Sequence, residues 1–255
     1  KSHITSYGKI FKTILNKLSV TEYRKLKMAG VLDRKRRADE VSRGFMKLHN
    51  IIMQSGIKIS GNCLSLCCGR GGWEQYLCEN FSSITNIDAY TFGASAGTMG
   101  HESFSDRPWR FKDKVNVTYT DVRLLWDNGP PVGYNWIFFD GGEQRPNHQT
   151  EADNFFELFA LGVVRAVSPD VNFVFKVLRP DDIRVLQACQ HVVNMTGKGK
   201  FFLCQHSKTT NLELYFVSVP CDQSIEKQVK KLLNYRLSRG ATTSQDRIIV
   251  PDRIP

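Results

Sequence analysis

Three apolar, strand-like runs of this chain carry a charge at or near one end. WIFFD closes on Asp140, VNFVFKVL holds Lys176, and LELYFVSV holds Glu213. A fourth charge, Lys47, sits on a helical segment, SRGFMKLHNII. Charges in such places are rarely buried without partners, so the fold has to bring opposite charges together. Two cations and two anions gathered in this way satisfy one another, and such surroundings can turn a lysine into a base. Between Lys47 and Asp140 lies a glycine-rich turn, CCGRGGW, of the kind that seats a nucleotide-like cofactor. Together these features point to an enzyme.

The rest of the pattern sets the fold class. Strand-like runs fall at 62–67, 84–90, 115–119, 135–140, 171–178, 200–206 and 212–219. Helix-like runs fall at 72–80, 152–167, 181–195 and 223–237. The early strands are separated by helices or long crossovers, which predicts an α/β fold: a mainly parallel sheet with helices on both faces. The last two runs are joined by a short polar turn around Lys208, Thr209 and Thr210, which predicts an antiparallel hairpin at the end of the sheet. Upstream, 7–30 reads as two short helices. Ser19 and Glu22 form a capping box for the second, and Gly30 closes it. Residues 31–38 form a charged connection, and 39–57 have helical spacing that ends near Gly56. The polar tail from 238 is expected to lie over the surface or to be mobile. The domain reading is an N-terminal helical extension at 1–38, a core at 39–222, and a C-terminal helix and tail at 223–255, all in one compact unit.

Composition narrows the partners. The formal net charge is +10, and the basic residues crowd the N-terminal part, from Lys9 to Lys27 and again at Arg34–Arg37. Such a surplus favours a polyanion, usually nucleic acid or an anionic membrane; the plain alternative is a charge that only aids solubility. There are seven cysteines, an odd number, several inside apolar runs, with no C-x-x-C spacing and no histidine at ligand distance. They read as small hydrophobes of a reduced intracellular protein, not as zinc ligands. No apolar stretch is long enough to span a bilayer. The chain begins at Lys1 without a methionine, as expected of a fragment or a processed product.

In the glycine turn, apolar Cys63–Cys67 is followed by Cys68-Gly69-Arg70-Gly71-Gly72-Trp73 and then a helix. Glycines let backbone amides approach a ligand closely. The spacing is not G-x-G-x-x-G, which disfavours a dehydrogenase, and the absence of G-K-[ST] excludes a P-loop. In open α/β sheets ligands sit beyond the carboxyl ends of the strands. Three acids are expected there. Asp88 closes the second strand at about the distance suited to ribose hydroxyls, Asp121 follows the third, and Asp140 ends the fourth.

The motifs become specific when taken in order. Ser42-Arg43-Gly44-x-x-Lys47-Leu48, the glycine turn, Gly100-His101-Glu102, Asp121-Val122, Asp140-x-Gly142-Glu143, Lys176-Val177-Leu178-x-Pro180 and Glu213-x-Tyr215-x-Val217-Ser218 follow one another. This set closely resembles the methyltransferase domain at the N-terminus of the flavivirus RNA polymerase protein, over about residues 8–235. The divergence between motifs suits a distant flavivirus-like virus. The resemblance implies a Rossmann-like, S-adenosylmethionine-dependent methyltransferase fold: a mostly parallel seven-stranded sheet with an antiparallel terminal hairpin and an N-terminal helical extension.

It also implies a function. Such domains methylate the 2′-hydroxyl of the first nucleotide of capped mRNA, and many also methylate guanine N7 of the cap, releasing S-adenosylhomocysteine. The family's catalytic K-D-K-E set falls on Lys47, Asp140, Lys176 and Glu213, with Lys176 as general base. The cofactor site falls on Ser42, Gly69, Gly71, Gly72, Trp73, Asp88, Thr91, His101, Glu102, Asp121, Val122 and Asp140. Cap and RNA contacts fall on Lys12, Leu15, Asn16, Leu18, Tyr23, Lys27, Gln144, Arg145, Lys208 and Thr210, with Tyr23 stacking on the cap guanine. Implied partners are capped viral RNA, a GTP-like cap guanosine and the polymerase domain of the same polypeptide. The isolated domain is expected to be monomeric, and the setting is the host cytoplasm at membrane-associated replication sites. A non-catalytic cap-binding module that keeps the fold is the alternative.

The chain departs from the family at several points. Ser65 stands where an aspartate is usual, Cys67 replaces a glycine, and Phe92 replaces a cofactor-contacting lysine. Gln144 and Arg145 replace a serine pair, while Lys208 and Thr210 replace an arginine and a serine near the cap.

Overall fold

The structure is a computed structural model, and it describes residues 38–93, 102–143, 145, 147–207 and 211–243. A seven-stranded sheet is built from β1 (Gly61–Leu66), β2 (Ile84–Thr91), β3 (Val115–Tyr119), β4 (Trp136–Phe139), β5 (Asn172–Val177), β6 (Lys200–Phe202) and β7 (Leu214–Val217). The strand order is β3-β2-β1-β4-β5-β7-β6. The first five strands run parallel, and β7 is antiparallel to both β5 and β6. Among the described residues the helices are α1 (Gly44–Ser55), α2 (Gly72–Asn80), α3 (His148–Leu158), α4 (Ile183–Thr196) and α5 (Ile225–Thr243). This is the expected Rossmann-like sheet with its antiparallel end. The order reverses between β1 and β4, which opens the crevice where such sheets hold ligands.

The two-residue period of a strand sorts the core into two layers. Leu64, Leu66, Phe139, Phe173, Phe175, Val177 and Phe216 pack on one face with Phe155 and Phe159, Val185 of α4, and Val229 and Leu233 of α5. Cys63, Ala89, Trp136, Phe138, Val174, Tyr215 and Val217 pack on the other with Leu48 and Ile51 of α1 and Trp73 and Leu77 of α2. Strands buried on both faces read as unbroken apolar runs, and WIFF is fully buried along its length. Truncating one of these phenylalanines to alanine costs about 3–5 kcal/mol.

Several boundaries differ from the sequence reading, and tertiary hydrogen bonds explain most of the shifts. The helix expected from residue 39 starts at Gly44. Before it, Val41 N–H donates to Gln75 Oε1 (2.9 Å), Arg70 donates to Val41 O (3.1 Å) and Gln75 donates to Asp39 O (2.9 Å), so this backbone serves α2 and the glycine turn instead. The run expected at 152–167 begins earlier because Asn147 caps it, accepting from the amides of Gln149 and Thr150. It then loosens into a π-type turn, Phe159–Val163, and a 3-10 turn, Val164–Ala166. The last helix continues past residue 238 to Thr243. The helices expected within 7–30, the connection up to residue 37 and the tail beyond 243 lie outside the described residues. Among the described residues no helix is long and apolar enough to cross a membrane.

Candidate active site

The same period that fills the core also aims the charges. Asp140 follows Trp136 and Phe138 in step, Lys176 follows Val174, and Glu213 precedes Tyr215 and Val217. All three therefore belong to the face covered by α1 and α2. Lys47 waits there on α1, one turn from the buried Gly44 and Ile51. Because β7 is antiparallel to β5, with Lys176 opposite Tyr215 and Val177 opposite Leu214, the amino end of β7 meets the carboxyl end of β5. Glu213 and Lys176 thus reach the same edge of the sheet.

The result is two linked ion pairs. Lys47 Nζ lies 2.5 Å from Glu213 Oε1, and Lys176 Nζ lies 3.0 Å from Asp140 Oδ1 while also donating to the Asp140 carbonyl at 2.8 Å. The Glu213 carboxylate is buried and further accepts from Ser207 Oγ (2.5 Å), Asn211 Nδ2 (3.0 Å) and Tyr215 OH (3.3 Å). Burial alone would raise its pKa. The Lys47 and Lys176 ammonium groups outweigh burial and hold it well below the usual carboxylate range. Burial works against the Lys47 charge too, but Glu213 and then Asp140 win, and Lys47 is held above the ordinary lysine value. Asp140 is the most open of the four, with 26% of its side chain exposed.

The glycine turn begins where β1 ends. Cys67 takes a left-handed conformation (φ 59°), with its thiol pushed up to about 12, by burial first. The amide of Gly69 is tied to Thr91 Oγ1 at the end of β2 (3.2 Å). Two glycines are required by space. A Cβ on Gly71, whose φ is 89°, would stand 2.4 Å from the Phe104 ring, and one on Gly72 would stand 2.0 Å from Ser42 Oγ. Trp73 is almost fully buried against Phe138 and Tyr215, and its indole N–H has no hydrogen-bond partner among the described residues. Ser42, Gly44, Trp73 and the Asp140 carboxylate converge, since a Cβ on Gly44 would lie 3.1 Å from Ser42 Oγ, 3.1 Å from Trp73 Cδ1 and 3.4 Å from Asp140 Oδ2.

Other expected residues stand differently. Asp88 does not close β2, which runs on to Thr91. Its carboxylate accepts from Tyr134 OH (2.6 Å) and from the amides of Asn86 (3.0 Å) and Asn116 (3.2 Å), so Thr91 holds the strand end instead. Asp121 follows β3 as expected and accepts a forked bond from Arg123 (2.6 and 3.0 Å), whose other arm reaches Glu157 (3.0 Å). Val122 beside it is buried. Glu102 is exposed, 3.9 Å from Arg70. Arg145 pairs with Glu143 (2.5 Å), and its amide donates to Glu151 (2.7 Å). His101, Lys12, Leu15, Asn16, Leu18, Tyr23, Lys27, Gln144, Lys208 and Thr210 lie outside the described residues.

Two parts of the site escaped the sequence reading. Ser65 Oγ donates to the carboxyl of Glu74, which is fully buried on α2 with Oε2 unpartnered among the described residues. Burial pushes this carboxyl up to about 7, against the pull of Ser65 and with some help from Asp140. The available signal was period: Ser65 is in step with Cys63 on the α2 face, and Glu74 directly follows Trp73. The shell of Ser207, Asn211 and Arg236 around Glu213 had no local signal.

An open sheet in this order, with a glycine turn at the reversal point and a charge cluster beside it, defines a Rossmann-type methyltransferase. The family model described as FtsJ-like methyltransferase matches residues 40–220, and the chain belongs to that family. FtsJ-like methyltransferases in general use S-adenosylmethionine. Curated relatives include the genome polyprotein of Banzi virus, 29% identical over 275 aligned residues that cover 99% of this chain and 8% of that protein. The genome polyprotein of Mosquito cell fusing agent is 30% identical over 227 residues, covering 86% of this chain and 6% of that protein. That of Alkhumra hemorrhagic fever virus is 28% identical over 249 residues, covering 89% and 7%. The chain therefore spans less than a tenth of the length of each of these relatives.

Proposed function

We propose that this chain is a viral RNA cap methyltransferase that moves the methyl group of S-adenosylmethionine to the ribose 2′-hydroxyl of the first nucleotide of capped RNA. The observation that carries this reading is the convergence of Lys47, Asp140, Lys176 and Glu213 into two ion pairs beside the glycine turn.

The residues present suit such a cofactor. A Cβ on Gly69 would meet nothing within 4 Å, Gly71 and Gly72 let Phe104 and Ser42 close against the turn, α2 begins there, and the Trp73 indole N–H is a buried donor with no acceptor among the described residues. Ser42, Gly69, Gly71, Trp73, Thr91 and Asp140 would hold it. When bound, it supplies a methyl group already activated on a sulfonium. The chain's own part is to align the ribose oxygen and take its proton. Lys47 is pinned as an ammonium by Glu213 and is no base. Lys176 Nζ is left to accept the proton, oriented by the carboxylate and carbonyl of Asp140. On this reading the domain works as part of a viral polyprotein that also carries the polymerase, and the N-terminal segment with its basic residues meets the capped RNA.

The test is transfer of tritium from labelled cofactor to capped RNAs that differ only in N7 methylation, followed by cap digestion. Label on the 2′-oxygen of the first nucleotide is expected, and the same digest reports any methylation at guanine N7. Cap binding without any transfer would instead favour a non-catalytic cap-binding module, and calorimetric binding of NAD would favour an oxidoreductase.

A further inference from the structure

Arg236 lies on α5, outside the stretch that matches the family model, yet it reaches the charge cluster. Its Nη1 donates to the Glu213 carbonyl at 3.0 Å, and its Nη2 approaches Asn211 Oδ1 at 3.5 Å. Asn211 Oδ1 also accepts from the Glu213 amide (3.3 Å), which leaves Nδ2 to donate to Glu213 Oε2 (3.0 Å). A cation on the oxygen side favours the same facing of the Asn211 amide that these two bonds select. That orientation in turn fixes the carboxylate holding Lys47.

The charge count points the same way. Among the described residues, Cys67 at the glycine turn and Glu213 at β7 feel Lys176 directly, Cys67 also feels Asp140 and the Asp121–Arg123 pair, and Glu213 in turn is felt by Lys47 from α1, Tyr215 on β7, Cys204 after β6 and Arg236 from α5. Burial keeps the Cys67, Cys204 and Tyr215 protons in place, so these three are neutral near pH 7. Burial also works against the Arg236 charge, with Glu213 opposing, but a guanidinium stays protonated in proteins. Among the described residues, Lys47, Lys176 and Arg236 then lie on the Asp140 and Glu213 groups, Lys47 and Lys176 at the carboxylates and Arg236 at the Glu213 carbonyl.

We infer that Arg236 is a positioning residue of the tetrad: it orients Glu213 through Asn211 and supplies the third positive charge that favours release of the Lys176 proton. This rests on the reading of Lys176 as the base for 2′-O transfer.

The test compares Arg236→Met, which removes the charge but keeps a stem, with Arg236→Lys, which keeps the charge but loses the fork. Melting temperature, cofactor binding by calorimetry and kcat for 2′-O transfer from pH 6 to pH 10 are measured for each. Arg236→Met is expected to bind cofactor within about twofold of the parent and to lose about tenfold in kcat at pH 7. Its rising limb moves up by about one pH unit, as loss of one nearby charge requires. Arg236→Lys restores the limb, and it carries the test alone should Arg236→Met fail to fold. A limb in the parental place for Arg236→Met, with kcat lowered equally at every pH, overturns the inference in favour of a purely structural role. A shifted limb in a folded Arg236→Lys overturns it as well. A parent protein that transfers nothing overturns the underlying reading and this one with it.

Discussion

The Lys47 ammonium and the Glu213 carboxylate meet at 2.5 Å across 166 positions of chain, one carried by a helix over the sheet and the other by the amino end of the antiparallel inner strand β7. The pair is nearly dry, with 14% of the Lys47 side chain and 3% of the Glu213 side chain exposed. Removing one partner leaves the other buried and alone, which typically costs about 3–5 kcal/mol. Glu213→Gln should therefore lower stability by that order in chemical denaturation, and Lys47→Met combined with it should restore part of the loss. Additive losses in the double variant would contradict the pairing.

The pH dependence of that pair has a definite sign. The folded Glu213 pKa lies below the unfolded value of about 4.3, since the lysines outweigh burial. Its contribution is then complete above that value and is lost as pH falls through the folded pKa. Below about pH 4 the parent protein should lose stability more steeply with falling pH than Glu213→Gln does. Denaturation midpoints at a series of acid pH values decide this.

Glu74 works in the opposite direction. Its folded pKa of about 7 lies above the unfolded value, so its contribution is complete below the unfolded pKa and disappears as pH rises through 7. Replacing it with a neutral isostere, Glu74→Gln, should flatten the fall in melting temperature between pH 5 and pH 8, a fall worth about 3 kcal/mol. An unchanged slope would show that the carboxyl under the glycine turn does not titrate there.

Lys176→Ala should abolish 2′-O transfer, by about 10²–10⁴-fold as for the loss of a positioned base, with cofactor binding largely kept. Lys176→Arg should fail as well, because a guanidinium accepts no proton at neutral pH. Cofactor titrations alongside the radiolabel assay separate the two effects. Lost binding, or normal transfer, would remove Lys176 from the role.

Gly72→Ala should weaken cofactor binding, because its Cβ would fall 2.0 Å from Ser42 Oγ and 3.0 Å from Phe45 N. Overpacking of this kind costs about 1–3 kcal/mol. The double variant with Ser42→Gly should regain part of the stability but not the contacts of Ser42, a split that calorimetry and thermal melts can read.

RNA affinity, finally, should drop steeply as salt rises from roughly 50 to 200 mM if the basic N-terminal segment meets phosphates. A flat response in a filter-binding series would remove that segment from the interface.

The sequence by itself determined which residues carry charge into apolar runs and in which phase. Asp140, Lys176 and Glu213 were legible as charges set into apolar runs and as a set through the family resemblance, while the structure shows each in step with buried neighbours on one face. The glycine turn, the parallel strands and the antiparallel end were legible for the same local reasons. Helix starts were less so. Asn147 and the 39–43 backbone answer to caps and to partners on α2, which local spacing does not report. The end of β2 escaped too, since Asp88 looks like a closing acid until Tyr134, 46 positions on, takes its carboxylate. Only the tertiary structure decided that β7 inserts between β5 and β6 and runs against both. That order puts Glu213 beside Lys176, where a parallel β7 would have sent it to the far edge. The packing of α5 at that end brings Arg236 to Asn211. Burial, and hence the cost of each unpaired charge, exists only once distant segments exclude water together.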